Sequence, residues 1–138
     1  MSADLAADQL VTDQLRTSWF SQLYQLSDLD LQRRTWLDLA NHNPHWSYIE
    51  FVCSYPGDDQ LRYAHKQGWL TAEEFKILSE FRRTLIAYSP PGGDHYDNAA
   101  ILNDAAWQSV AEAAARAIRQ LLSITTNHLE REMLLGTK

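Results

Sequence analysis

Apolar side chains recur at three- and four-residue steps from one end of this chain to the other, and nowhere do apolar and polar residues alternate for long enough to build a sheet. The fold class this dictates is all-α: a compact single-domain bundle of about five to seven helices occupying residues 1–138. A chain of 138 residues suits one domain and can bury a core without disulfides or a structural metal. The apolar share of 45%, with 5 Trp, 6 Tyr and 4 Phe, excludes intrinsic disorder.

The first helix is expected over residues 3–26. Val11, Leu15, Trp19 and Leu23 form its stripe, widened by Phe20 and Tyr24. Residues 1–10, rich in Ala and Asp, carry a weak pattern and are expected to fray or to dock only as the start of a longer helix. Ser27-Asp28 supplies an N-cap for a second helix over 29–40 that buries Leu29, Trp36, Leu37 and Ala40. Asn41-His42-Asn43-Pro44 breaks it. Asn43 then reads as a fresh N-cap, with Pro44 in the first helical position of a third helix that carries Trp46, Ile49 and Cys53 on one edge. Pro56-Gly57-Asp58-Asp59 interrupts that run, and a short helix over 59–67 is closed by Gly68.

Thr71-Ala72-Glu73-Glu74 is a capping box, so a fifth helix starts there and buries Phe75, Leu78, Phe81, Leu85 and Tyr88. Ser89-Pro90-Pro91-Gly92-Gly93-Asp94 cannot continue it and predicts the clearest loop of the chain. Asp104 caps a long Ala-rich helix with Trp107, Val110, Ala111, Ala114, Ile118, Leu121 and Leu122 on its inner face. Asn127 with Glu130 opens a last helix ending near Gly136.

No apolar run approaches the roughly 20 residues that span a bilayer, and Met1-Ser2-Ala3-Asp4-Leu5 lacks the basic start and apolar stretch of a secretory signal. The expectation is an unprocessed chain with no membrane partner. Cys53 stands alone, so no intramolecular disulfide forms, which suits the cytoplasm. The net charge of −6 repels phosphate backbones. Arg33-Arg34, Arg82-Arg83, Arg116 and Arg119 have Asp30, Asp38, Glu80 and Glu112 as helix-surface partners and form no basic stripe, so nucleic acid is not an expected partner.

Two helix-breaking loops concentrate ligand-type side chains: His42, Asn43 and His45, followed by Tyr48, in one, and Asp94, His95, Tyr96 and Asp97 in the other. Antiparallel packing of the flanking helices brings both loops to one end of the bundle. Imidazoles beside carboxylates are donors for Zn, Fe or Mn, with His42, His45 and His95 as candidate ligands. The spacing argues against them: His42 and His45 lie three apart with a proline between, and the second loop holds one histidine. No metal and no cofactor is expected.

His95 with Asp97, or His45 with Glu50, has the composition of an acid–base pair. Against catalysis, the chain has no nucleophile elbow, phosphate-cradling loop or dinucleotide fingerprint. Cys53 lies on an apolar edge, where a thiol serves as a small buried hydrophobe, and His65 sits near a helix C-terminus, where a cationic ring is favoured.

Tyr48, Tyr55, Tyr63, Tyr88 and Tyr96 fall near helix ends and loops, and aromatics beside acidic groups are the side chains that anchor interfaces. The leading expectation is therefore a non-catalytic cytoplasmic protein-binding domain with a basic partner, in the manner of a bacterial immunity or antitoxin-like inhibitor. A small metal-binding protein or enzyme using the His/Asp loops is one alternative. A self-associating structural protein with a homodimer seam is another.

Overall fold

In the computed structural model, residues 3–40 and 43–136 are described, and they contain helices and no strand. The helices are α1 (Ala3–Ser27), α2 (Leu29–Trp36), α3 (Tyr48–Ser54), α4 (Asp58–Lys66), α5 (Ala72–Ala87), α6 (Asn98–Leu102), α7 (Ala105–Leu122) and α8 (His128–Leu135), with a 3₁₀ turn at Pro91–Gly93. Four starts lie where the sequence places them. Side-chain oxygens of Asp28, Thr71, Asp104 and Asn127 accept from the backbone N–H of Leu31, Glu74, Ala106 and Glu130, each satisfying a donor that the first turn leaves free.

The core is built by α1, α5 and α7. The end of α5 meets the start of α7, where the Tyr88 hydroxyl donates to Asp104 Oδ2 at 2.9 Å, while Glu73 and Ile77 at its beginning lie beside Gln120 and Ser123. α7 therefore runs antiparallel to α5, and the same holds for α1, whose last carbonyls reach Trp107 through Gln32. Trp107, Phe20, Leu23, Leu78, Leu85 and Leu121 are fully buried between these helices. α8 returns alongside α1 in the same direction: Arg16 meets Glu130, and the Tyr24 ring lies against Gly136.

Gly136 ends α8 with φ +73°, and a Cβ there would run into the Tyr24 ring. A left-handed backbone costs an L-residue roughly 1–2 kcal/mol before any clash is counted. Gly136→Ala is expected to destabilise by more than that, read as a lowered urea midpoint; Gly92→Ala, at φ +65° with open space around it, controls for the backbone cost alone.

Several expectations are corrected. α1 is continuous from Ala3, yet Val11 is 49% exposed rather than buried, because α8 begins level with Arg16 and leaves Leu10 and Val11 uncovered. α2 stops at Trp36, not at residue 40, so Leu37 and Ala40 lie outside the core. Asp38 Oδ1 accepts from the Ala40 N–H at 2.9 Å, a local turn that competes with helix continuation. Asn43 Oδ1 likewise accepts from the His45 N–H in a tight turn, so Pro44 starts no helix; Ser47 caps α3 instead, accepting from Glu50. The stretch after Ser89 is not one open loop, since Asp97 caps the one-turn α6 that buries Ile101 and Leu102.

Candidate functional site

Tyr48, at the start of α3 just beyond the first ligand-rich loop, lies against the second. Its backbone N–H donates to Asn98 Oδ1 at 3.2 Å, and its ring lies 5.2 Å from Trp107, 5.9 Å from Tyr88 and 6.1 Å from His95, centroid to centroid. Trp36 extends this aromatic cluster to Phe51 at 5.0 Å. Tyr48 is thus a core residue, 3% exposed, and not part of a contact surface as expected; Tyr55 is buried as well. Burial wins over loop position because the ring packs among Trp36, Tyr88 and Trp107. Burial, with a smaller contribution from Cys53, pushes the Tyr48 phenol up, and burial together with the Asp104 hydrogen bond does the same to Tyr88. Neither serves as a base near neutral pH.

The histidines face different neighbours. His45 Nε2 lies 3.3 Å from Gln25 Oε1, a pure acceptor, so that nitrogen is the donor, and its ring packs on Trp46 and Phe51. His95 Nδ1 lies 3.2 Å from the Gly93 carbonyl. Asp94 Oδ1 accepts from the Tyr96 N–H at 2.9 Å and Asp97 Oδ1 from the Ala100 N–H at 3.1 Å. The expected pairings of His95 with Asp97 and of His45 with Glu50 are not made: both imidazoles and the Asp97 carboxylate have taken nearer backbone or amide partners. Asn41 and His42 lie outside the described residues. Among the described residues no group of three His, Cys, Asp or Glu side chains is placed to hold a metal ion.

Asn43, Asp94, His95, Tyr96 and Asp97 are exposed, with Tyr96 at 79%. The charge around them has one sign. No Lys or Arg occurs between Arg34 and Arg62 or between Arg83 and Arg116, the two stretches that Tyr48 and Asn98 tie together, whereas Asp38, Glu50, Asp94 and Asp97 all stand exposed within them. Asp94 and Asp97 orient the loop through their turn bonds, and the exposed Tyr96 lies between them in the chain.

Cys53 is exposed, contrary to the expectation of burial, because α3 turns Phe51 inward and leaves the thiol on its outer side. A thiol reagent is therefore expected to titrate one equivalent of Cys53 in the native protein without denaturant. A reaction that appears only on unfolding would contradict this placement.

A dense ion-pair cluster lies elsewhere, around a residue the sequence pattern did not single out. Arg16 uses every N–H of its guanidinium: Nε and one terminal nitrogen donate to Glu130 at 2.9 Å each, and the terminal nitrogens also donate to Glu74 at 2.8 and 2.6 Å and to the Trp69 carbonyl at 2.8 Å. These hydrogen bonds, those to Glu74 first and then those to Glu130, raise Arg16 further above its ordinary range. Burial pushes the Glu74 carboxyl up, but the bonds from Arg16 and Thr71 outweigh it and hold it below 4.5. With no donor left over, the cluster is a clamp between α1, α5 and α8 and not a ligand site. The available signal was position: Arg16 precedes Phe20 and Leu23 by four and seven residues on the buried face of α1.

This arrangement defines an all-helical bundle with a hydrophobic aromatic end wearing an acidic rim. No family model matches the chain, and neither a curated protein nor a solved structure is significantly similar to it. Among the described residues no helix is long and apolar enough to cross a membrane.

Proposed function

We propose that this protein is a non-catalytic binding domain whose acidic end engages a basic protein, in the manner of a cytoplasmic immunity or antitoxin-like inhibitor. The observation that carries the reading is the exposed Tyr96 set between Asp94 and Asp97 on a surface whose two contributing stretches hold acidic residues and no Lys or Arg. Such a field speeds encounter with a cationic surface and disfavours anionic ones, while a rigid aromatic side chain supplies contact area at small entropic cost. The turn bonds made by Asp94 and Asp97 support it further, since a loop already ordered loses little freedom on binding.

The reading is tested by capture from lysate of the source cell with the purified chain, followed by quantitative binding of the captured protein. Asp94→Asn with Asp97→Asn removes two charges and keeps both turn acceptors, and Tyr96→Ala removes the aromatic anchor. A basic partner is expected whose affinity falls at least tenfold in either variant and declines with salt in the wild type. A partner bound equally well by both variants, or affinity unmoved by salt, overturns the assignment.

A further inference from the structure

A second site lies on the other side of His45, away from the acidic loop. Helix α1, the start of α2, Trp46 and the end of α8 enclose a half-open pocket of about 400 Å³, lined by Ser21, Tyr24, Gln25, Leu31, Trp46, Met133 and Gly136. That volume falls within the range of small-molecule sites. Every described lining residue is neutral, and the walls are two aromatic rings, a leucine, a thioether and a glycine backbone. A charged ligand would surrender its hydration there without a counter-ion. A flat apolar one would bury its faces against Trp46 and Met133.

One edge is polar. Ser21 and Gln25 stand one turn apart on α1 and therefore on the same face. The Gln25 carboxamide is already oriented, because its Oε1 accepts from His45 Nε2 at 3.3 Å. That bond leaves the Gln25 NH₂ as a donor, and the Ser21 hydroxyl beside it donates or accepts. The Tyr24 hydroxyl is otherwise engaged, donating to Asp28 Oδ2 at 2.5 Å, so the tyrosine contributes its ring and not its polar tip. The backbone of Gly136 completes the floor, and it is glycine there that leaves room for the Tyr24 ring.

We propose that this pocket binds a small, neutral, planar aromatic molecule bearing a carbonyl-type acceptor, its ring between Trp46 and Met133 and its oxygen accepting from Gln25 Nε2 and Ser21 Oγ. The site is separate from the acidic protein-binding end, and either assignment stands or falls without the other.

The test uses the full chain and benzamide as the probe, followed by ¹H–¹⁵N shift changes. Saturable shifts are expected at the Trp46 indole N–H and at the Met133 and Gly136 amides. Benzoate, which has the same ring and a charge, and cyclohexanecarboxamide, which has the same amide without a flat ring, are expected to bind at least tenfold more weakly. Gln25→Leu, which keeps the apolar volume and removes the donor, is expected to weaken benzamide binding about three- to tenfold. Should that variant fail to fold, Ser21→Ala, on a partly exposed position, carries the same test. Shifts that never saturate, benzoate binding as well as benzamide, or unchanged affinity in the folded donor variants each overturn the proposal.

Discussion

Replacing Arg16 with Met is expected to cost about 3–5 kcal/mol of folding stability, a large part of what a domain of this size possesses. The guanidinium side chain is 14% exposed and its partners Glu74 and Glu130 are 4% and 8% exposed, so the substitution leaves two carboxylates facing each other with little water to screen them. Methionine keeps most of the apolar stem, and the loss is then chiefly electrostatic. Urea titration at neutral pH measures it, and a loss under about 1 kcal/mol would mean that the clamp contributes no more than an exposed ion pair.

The same substitution reverses a pH dependence. In the wild type Glu74 is held below 4.5, so its contribution is complete above that pH and is lost as pH falls through the folded value. Without Arg16 the bonds with Thr71 remain, but burial, the largest influence on Glu74, and the unneutralised Glu130 carboxylate across the lost guanidinium push it up, so the folded state then takes up a proton more readily than the unfolded one. Arg16→Met is therefore expected to become more stable, relative to its neutral-pH value, as the pH is lowered toward 4.5, where the wild type only loses stability. Parallel slopes in the two proteins would contradict the assignment of the shift to Arg16.

Gln32→Leu is the second large effect, expected at about 3 kcal/mol or more, the sum of several buried groups losing their partners. Gln32 is wholly buried, yet its Nε2 donates to the carbonyls of Gln25 and Leu26 at 2.9 and 3.1 Å, and its Oε1 accepts from Trp107 Nε1 at 2.9 Å. The carbonyls belong to the last turn of α1, where helical donors run out and Gln25 has besides Gln32 only the Asp28 N–H at 3.4 Å. Leucine fills the space but strands the Leu26 carbonyl and the Trp107 indole donor and leaves the Gln25 carbonyl only its long bond from the Asp28 N–H, at about 1–3 kcal/mol for a buried group left unpaired. A double-mutant cycle isolates the network. Trp107→Phe should cost less in the Gln32→Leu background than in the wild type, because the indole N–H has already lost its partner. Additive losses would show that Gln32 and Trp107 act independently.

Those two residues mark where sequence reasoning stops. Thr71-Ala72-Glu73-Glu74 announces a helix start, because a capping box is a contact between residues three apart and its chemistry is complete within the motif. The Glu74 carboxylate's second task, gripping Arg16 58 positions away, leaves no local trace. Gln32 likewise reads as an ordinary polar helix residue until Trp107, 75 positions on, is seen to donate to it. The candidate loops were legible as loops, from prolines, glycines and Asp or Asn turn formers. Which side chains turn outward was not. Tyr48 and Cys53, five apart on α3, exchange the burial expected of them, because a helix this short is oriented by what it packs against and not by its own pattern.

The sequence by itself determined the all-helical class, the cap residues at Asp28, Thr71, Asp104 and Asn127, the long central helix α7 and the one-signed charge of the two loop-bearing stretches, since each depends on residues within a turn or two of one another or on composition alone. Tertiary structure decided the end of α2 at Trp36, the burial of Tyr48, the exposure of Cys53, the Arg16 clamp and the pocket beside Gln25. Each of these is settled by the free energy of desolvating a side chain against a partner that is distant in sequence, and that partner is present only once the helices have packed.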